Sequence, residues 1–204
     1  MLNDILHRPH FPMIVTAYTV QSHLDIYYQK AVARFAHSCI KFNLQHMVYP
    51  LNPVTDWVQG CSLKPTVILH ALRLFQKPVL WIDADAEIYQ HPAIFENMAD
   101  HDMAIHSSKG GHWLSGTLYF TPKAIRFVER WLKATKENEP DEITLLNLYR
   151  NSDPAQRPRL HYLPQEYNTV VHANSNTTSL IIGHHIRPDV APSRKVKASP
   201  PAEL

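Results

Sequence analysis

The sequence is poor in cysteine and contains no long apolar segment. Its two cysteines, Cys39 and Cys61, stand alone without the spacing of a metal site. We therefore expect buried free thiols in a reducing compartment. No apolar run approaches the roughly 18 residues that a membrane-spanning helix needs, and residues 1–9 lack the apolar segment of a signal peptide. These absences predict a cytoplasmic protein without a membrane span.

Charge is nearly balanced in this chain, and glycine is scarce. The net charge is +2 with neutral histidine, which is too small to indicate nucleic-acid binding by itself. There are five glycines, a residue used where the backbone bends unusually or approaches a ligand closely. With 204 residues and 45% hydrophobic content, the chain can bury one core. We expect one domain, or one domain with a tail.

The first part of the chain alternates between strand and helix patterns. Apolar residues recur at intervals of three and four between Tyr28 and Ile40, which indicates an amphipathic helix. The predicted order is strand Met13–Thr19, helix 22–42, strand 45–49, helix 62–75 and strand Val79–Ile82. Such alternation indicates an α/β sheet joined by right-handed crossovers.

Beyond Ile82 the predicted elements are shorter. Strands are predicted at 87–89, 103–106, 114–120, 160–163 and 180–184, helices at 92–98, 121–137 and 141–148, and loops at 50–60, 107–112 and 151–159. Residues 188–204 are rich in proline, serine and basic side chains, which predicts a tail of low order. The predicted domain therefore comprises residues 1–187.

Two carboxylates, Asp83 and Asp85, follow the buried strand Val79–Ile82 directly. Unpaired buried charge is costly, so these carboxylates need a partner. Their oxygen atoms suit Mg²⁺ or Mn²⁺, and ligands of open α/β sheets bind beyond the carboxyl ends of the strands. A solvated turn or a helix N-cap is the alternative interpretation of Asp-x-Asp.

Several short motifs occur together in an order known from one enzyme class. They are residues 15–19, Trp57 through Lys64-Pro65, residues 80–85, residues 113–117, Asp141-Glu142 with Leu146-Asn147, Leu163-Pro164 with Tyr167-Asn168, and a late histidine. Together they resemble the GT-A class of nucleotide-sugar glycosyltransferases, closest in style to family eight, over residues 14–197. The resemblance implies a GT-A (Rossmann-like) α/β fold, with a mixed, mainly parallel sheet flanked by helices in a single domain.

The resemblance also implies a divalent cation, Mn²⁺ or Mg²⁺, held by three side chains. In such enzymes the last Asp of the motif binds the cation and the first binds the cation or the ribose, which assigns Asp85 and Asp83. The third ligand is usually a late histidine. His184 and His185 are the candidates, and we favour His184 because its position fits and neutral imidazole ligates such metals. The alternative is a pair of surface imidazoles.

Contacts with the nucleotide-sugar donor follow from the same resemblance. The residues that match positions holding the base, ribose and diphosphate are Thr16, Ala17, Tyr18, Lys64, Asp83 and Ala84. Ser115 and Gly116 match the segment beneath the donor sugar, where a glycine in a strand permits close approach. The alternatives are a solvated first-turn lysine for Lys64 and core packing for Tyr18.

The reacting centre is assigned by chemistry. An inverting enzyme needs a carboxylate base beside the acceptor hydroxyl, and Asp141, Glu142 and Glu166 are the candidates. A retaining enzyme needs no such base. We choose Asp141 as the residue at the reacting centre. The basic residues 193–195 are interpreted as a solvated tail, with a cover over the diphosphate as the alternative.

The resulting prediction is a metal-dependent glycosyltransferase with a nucleotide-diphosphate donor, usually UDP in this family. Its acceptor is a hydroxyl on a glycan, a protein or a modified DNA base. The chain is short for the class, which suggests that a partner or a large, open acceptor completes the site. Two other classes stay open: a nucleotidyltransferase or metal-dependent phosphohydrolase, and a non-catalytic sugar- or nucleic-acid-binding module. The chain shows neither Gly-x-x-x-x-Gly-Lys nor a second carboxylate cluster, which counts against the first of these.

Overall fold

A computed structural model describes residues 11–19, 25–54, 57–135, 139–172 and 175–185. The strands are β1 Met13–Thr19, β2 His46–Leu51, β3 Val79–Ile82, β4 Ala86–Ile88, β5 Met103–Ser107, β6 Trp113–Phe120, β7 Leu160–Leu163, β8 Thr169–Val171 and β9 Ile182–His185. The helices are α1 Asp25–Lys41, α2 Trp57–Ser62, α3 Lys64–Phe75, α4 Ile125–Ala134 and α5 Asp141–Asn151, with 3₁₀ turns between several elements. Among these described helices, none combines the length and apolar character needed to cross a membrane.

The main sheet has six strands in the order β2-β1-β3-β6-β5-β7. Strands β2, β1 and β3 pair in parallel, β6 is antiparallel to both β3 and β5, and β7 is parallel to β5. Within the described part of this sheet, therefore, only β6 runs against the others. The prediction of a mixed, mainly parallel α/β sheet in one domain is confirmed.

Helices cover both faces of the sheet, and the central strand β3 buries side chains on both sides. In β3, Val79 and Trp81 face a core shared with α3, α4 and α5, whereas Leu80 and Ile82 face a core shared with α1 and the strand β4. All four of these side chains are at most 4% exposed. The continuous apolar run of β3 thus reflects burial on two faces, as expected for a central strand with helices on both sides of the sheet.

A second, three-stranded sheet has the order β4-β9-β8 and packs beside α1. Strand β4 begins immediately after the turn that follows β3, and Ala86 pairs with His184 of β9. This small sheet thereby brings the end of the described chain next to the carboxyl end of the central strand β3.

The interpretation of residues 50–60 as a loop is wrong at both ends. Strand β2 continues through Pro50 to Leu51, which is allowed because β2 lies at the sheet edge, where a missing N–H disturbs no partner. Residues Trp57–Ser62 form α2, which packs against α3 and α5. The contacts with α5 are distant in sequence and are not contained in a local pattern.

Other boundaries differ by a few residues or were missed. Strand β8 was not predicted, and the helix predicted at 121–137 begins with the 3₁₀ turn Pro122–Ala124 before α4. The proposed helix start at residues 22–24 lies outside the described residues, as does the segment 186–204. The division into domain 1–187 and tail 188–204 therefore stays a prediction.

Candidate active site at the end of strand β3

The turn after β3 presents Asp83 and Asp85 at the carboxyl edge of the main sheet. The N–H of Asp83 donates to the carbonyl of Gly116 in β6 at 2.9 Å, which continues the β3–β6 pairing by one residue. The N–H of Ala86 then donates to the carbonyl of Asp83 at 3.0 Å and closes the turn. The backbone of the Asp-x-Asp segment is thus fixed on both sides, and the helix N-cap interpretation is wrong.

Asp83, Asp85 and His184 form the candidate metal site. Each offers one ligand atom, and these atoms lie within 4.8 Å of one another. Nδ1 of His184 lies 3.7 Å from Oδ1 of Asp85, while its Nε2 is 3.2 Å from the hydroxyl of Thr117. The buried Oδ1 of Asp85 has no hydrogen-bond partner in the described structure. Two carboxylates and an imidazole, with one carboxylate oxygen left without a donor, fit a divalent cation such as Mn²⁺ or Mg²⁺.

The two neighbouring histidines have different surroundings because successive side chains of a strand point to opposite faces. His184 is buried at the metal cluster, 7% exposed. The Nε2 of His185 lies instead 3.0 Å from the hydroxyl of Tyr89 and 3.3 Å from a carboxylate oxygen of Glu87. This geometry supports His184, rather than His185, as the proposed third ligand.

Lys64 is a buried cation at the centre of the site, 5% exposed. Its Nζ donates to Oγ of Ser115 at 2.9 Å and lies 3.1 Å from Oδ1 of Asp83 and 3.3 Å from Oδ2 of Asp141. Burial favours the neutral amine, but Asp141 and Asp83 outweigh it and hold the pKa of Lys64 well above its usual value. The ammonium therefore stays charged, and the interpretation of Lys64 as a solvated lysine is wrong.

The carboxylate of Asp83 contacts both Lys64 and a residue of its own strand, β3. The indole N–H of Trp81 donates to Oδ1 of Asp83 at 2.7 Å, on the same oxygen that Lys64 approaches. Burial raises the pKa of Asp83 despite the ammonium of Lys64, and the neighbouring carboxylate of Asp85 adds to the rise. A cation near both carboxylates would relieve this repulsion.

Asp141, the first residue of α5, lies beneath Lys64 and is 1% exposed. Its ion pair with Lys64 is not a hydrogen bond in geometry, and both carboxylate oxygens lack a hydrogen-bond donor among the described residues. Of the other two candidate bases, Glu142 follows Asp141 directly in α5, whereas Glu166 lies in the 3₁₀ turn Gln165–Tyr167. The ion-pair partner of Asp141 is Lys64.

Gly116 has no room for a side chain. A Cβ there would lie 2.7 Å from Cε1 of His184 and 2.9 Å from Oδ1 of Asn168. The Asn168 oxygen is buried and has no hydrogen-bond partner in the part of the chain described. Ser115, the preceding residue, bonds Lys64. Strand β6 therefore connects the lysine and the histidine sides of the site.

The residues assigned to the base and ribose lie at the same sheet edge. Strand β1 pairs with β3 as far as Val15, so Thr16, Ala17 and Tyr18 extend beyond the β3 pairing. Thr16 is fully buried with an unpartnered hydroxyl, and Ala17 and Tyr18 are half-buried. Ala84 is buried in the turn between the two carboxylates. Their contact with a nucleotide stays a prediction.

Three residues of the site were missed as site residues. Thr117 and Asn168 both belong to quoted motifs, but nothing local signals that they contact or flank His184. Arg34, in α1, donates from Nη2 to the main-chain carbonyl of Asp85 at 3.1 Å. An arginine on the polar face of an amphipathic helix has an ordinary solvated interpretation, so its sequence carries no signal of this contact.

Glu142 should make stability depend on pH. Burial raises its pKa from an ordinary 4.5 to about 7, and Asp141 adds to the rise. The folded state therefore binds more protons than the unfolded state between these values. The contribution of Glu142 to stability is complete below about pH 4.5 and is lost as the pH rises through about 7.

In urea unfolding between pH 4.5 and 7.5, Glu142→Gln should flatten this decline in the free energy of unfolding. Glu129→Gln, at a surface ion pair, is the control, and an unchanged slope in Glu142→Gln would refute the assignment.

Comparison with known sequences gives no match: no protein-family model matches the chain, and neither does any curated protein. Solved structures match in fold. A glycosyltransferase involved in the glycosylation of the major capsid of PBCV-1 superposes with a TM-score of 0.67 at 14% identity, covering 85% of this chain and 92% of that one. The glycosyltransferase GlyE of Streptococcus pneumoniae TIGR4 gives 0.56 at 17% identity, covering 87% of this chain.

The chain spans only 56% of the length of GlyE, and the apo form of GlyE gives a similar result, with a TM-score of 0.55 at 15% identity. At such identities the likeness concerns the fold. The fold expected from the short motifs, that of glycosyltransferases, is confirmed.

Proposed function

We propose that this chain is a GT-A glycosyltransferase that moves a sugar from a nucleotide diphosphate to an acceptor hydroxyl. The nucleotide is UDP, which the enzymes that the chain resembles usually use. One observation carries the proposal: Asp83, Asp85 and His184 converge at the end of β3, directly beside the buried ammonium of Lys64. A divalent-cation site next to a fixed positive charge suits a diphosphate, which carries negative charge and gains more as it leaves.

Asp85 and His184 would hold Mn²⁺ or Mg²⁺, with Asp83 as the ligand shared with Lys64. The bound cation would supply charge neutralisation to the departing diphosphate. Lys64 would donate a charge-assisted hydrogen bond to a phosphate oxygen. Because Lys64 already lies between Asp83 and Asp141, little reorganisation is needed when the donor binds.

The remaining assignments complete the donor site. Thr16, Ala17 and Tyr18 hold the base and ribose together with Ala84, and Gly116 with Ser115 lies beneath the sugar. We propose that Asp141 acts at the reacting centre as a positioning residue, through Lys64. The acceptor belongs to a glycan, a protein or a modified DNA base, and a partner or the acceptor itself completes the site. The protein works in the cytoplasm, with residues 188–204 as a basic tail.

The direct test is nucleotide release. The protein is incubated with a panel of nucleotide sugars and Mn²⁺, and free nucleotide diphosphate is measured with and without EDTA. Metal-dependent release of UDP supports transfer or its hydrolytic side reaction. Release of a nucleoside monophosphate together with sugar 1-phosphate instead indicates the phosphohydrolase class. In a parallel reaction with a nucleoside triphosphate and a sugar 1-phosphate, release of pyrophosphate indicates the nucleotidyltransferase class. Binding of a nucleotide sugar without any turnover, across the panel and with added acceptors, indicates a binding module.

Cation and nucleotide should stabilise the protein cooperatively. A cation that bridges protein carboxylates and phosphate oxygens binds better when both are present, and ligands that bind only the native state raise the melting temperature. We expect Mn²⁺ with UDP to raise it more than the sum of the two separate shifts. Thermal unfolding with each component alone and together measures this. Equal shifts for UDP with and without Mn²⁺ would contradict a bridging cation.

A further inference from the structure

The direction of the Asp85 side chain depends on its main chain. Oδ1 of Asp85 is buried and makes no hydrogen bond within the described residues. Across the cluster, Nδ1 of His184 is 3.7 Å away, beyond hydrogen-bond distance. Because this oxygen is not held by a donor, the backbone of the turn must place it.

Hydrogen bonds from two different elements hold the backbone of Asp85, both at its carbonyl oxygen. The carbonyl oxygen of Asp85 accepts a hydrogen bond from the main-chain N–H of His185 at 3.1 Å. It also accepts one from Nη2 of Arg34 at 3.1 Å. A carbonyl has two lone pairs, so both donors can bind at once. The first bond comes from β9, and the second comes from a side chain of α1.

Arg34 is itself held in place. Its Nε lies 3.7 Å from a carboxylate oxygen of Glu87, too far for a hydrogen bond but within ion-pair distance. Tyr27 lies seven residues earlier on α1, on the same helix face, and its hydroxyl donates to the carbonyl of His185 at 3.0 Å. Helix α1 thus forms hydrogen bonds with both segments that carry the candidate metal site, through Arg34 with Asp85 and through Tyr27 with His185.

We infer that Arg34 is a positioning residue for the cation site and acts through the main chain of Asp85. Nη2 of the guanidinium reaches this carbonyl while Nε stays near Glu87, a geometry that a lysine ammonium cannot reproduce fully. Losing the bond leaves the carbonyl of Asp85 with the β9 hydrogen bond as its one remaining donor contact among those described, so the carboxylate occupies more orientations and binds a cation less tightly. The inference rests on the proposed function, because it concerns the same metal site.

The test is a titration of the full chain with Mn²⁺ alone, in which the electron paramagnetic resonance signal reports free Mn²⁺. Loss of an outer-shell partner lowers metal affinity by about 10–100-fold, and we expect at least about tenfold for Arg34→Met. Arg34→Lys should fall between wild type and Arg34→Met. Titrations run well below the melting temperature of each variant, checked by circular dichroism, so that a loss of fold is not counted as a loss of affinity.

Arg73→Met is the matched control. Arg73 also forms an ion pair from a helix, with Glu129 at 2.6 Å, but it is exposed and outside the site. Its removal should change Mn²⁺ affinity by less than about twofold, because exposed pairs contribute little. Tight binding by wild type with unchanged affinity in folded Arg34→Met or Arg34→Lys overturns the role of Arg34 alone. Absence of Mn²⁺ binding by wild type overturns both this inference and the metal site of the proposed function.

Discussion

Asp85→Asn should abolish Mn²⁺ binding and sugar transfer while leaving the fold intact. The side chain keeps its size but loses its charge and becomes a weaker ligand beside His184, from which it lies 3.7 Å. Loss of electrostatic stabilisation at the reacting centre typically costs about 3–4 kcal/mol, or about 10²–10³ in rate. Nucleotide release with Mn²⁺ and direct titration with Mn²⁺ measure the two effects separately.

The same substitution should not destabilise the metal-free protein. The charge of Asp85 helps to raise the pKa of Asp83, so removing it relieves repulsion between the two carboxylates. The melting temperature in EDTA should therefore be equal to or higher than that of wild type. Asp153→Asn, which changes a carboxylate in a surface turn, serves as the matched control. Activity of Asp85→Asn within about threefold of wild type, under ~1 kcal/mol in barrier, would exclude the metal role.

Lys64→Met should strongly destabilise the protein in the absence of metal. Lys64 is the buried cation between Asp83 and Asp141, and its removal leaves two carboxylates without their partner. Breaking a buried ion pair by removing one partner typically costs about 3–5 kcal/mol. Urea unfolding in EDTA measures this loss as a change in the free energy of unfolding.

The partner of Lys64 provides the matched variants. Adding Asp141→Asn to Lys64→Met should recover part of the loss, because one buried charge is removed. Mn²⁺ should stabilise Lys64→Met more than it stabilises wild type, since Asp83 then lacks its ammonium partner. Lys64→Arg, which keeps the charge, should lose less. A loss below about 1 kcal/mol in Lys64→Met would show that the ion pairs do not hold this site together.

The sequence predicts the frame of the site because the signals there are local. Val79–Ile82 is a continuous apolar run followed at once by Asp83, the pattern that a strand buried on both faces leaves in a sequence. The resemblance of short motifs assigns Lys64, Ser115 and Asp141 to the site, each from its own motif. Their contacts with one another depend on how α3 packs against β6 and α5, which sequence spacing does not determine.

The missed parts of the structure depend on tertiary contacts. Strand β8 has three residues and owes its pairing to β9. Helix α2 contains Gly60, which weakens a local helix pattern, and it forms against α3 and α5. The contact of Arg34 could not be predicted for a related reason. Its partner is a main-chain carbonyl 51 residues away, and every residue has such a carbonyl, so the sequence does not mark this one.

The pairing of β4 with β9 determines when the site forms during folding. It joins segments far apart in the chain, as the hydrogen bond between Tyr89 and His185 shows with its separation of 96 residues. Closing so long a loop carries an entropy cost that precedes any reward from contacts, so such pairings form slowly. During synthesis, Asp83 and Asp85 emerge long before His184. We therefore expect a refolding chain to gain cation affinity in its last kinetic phase, after the main sheet has formed.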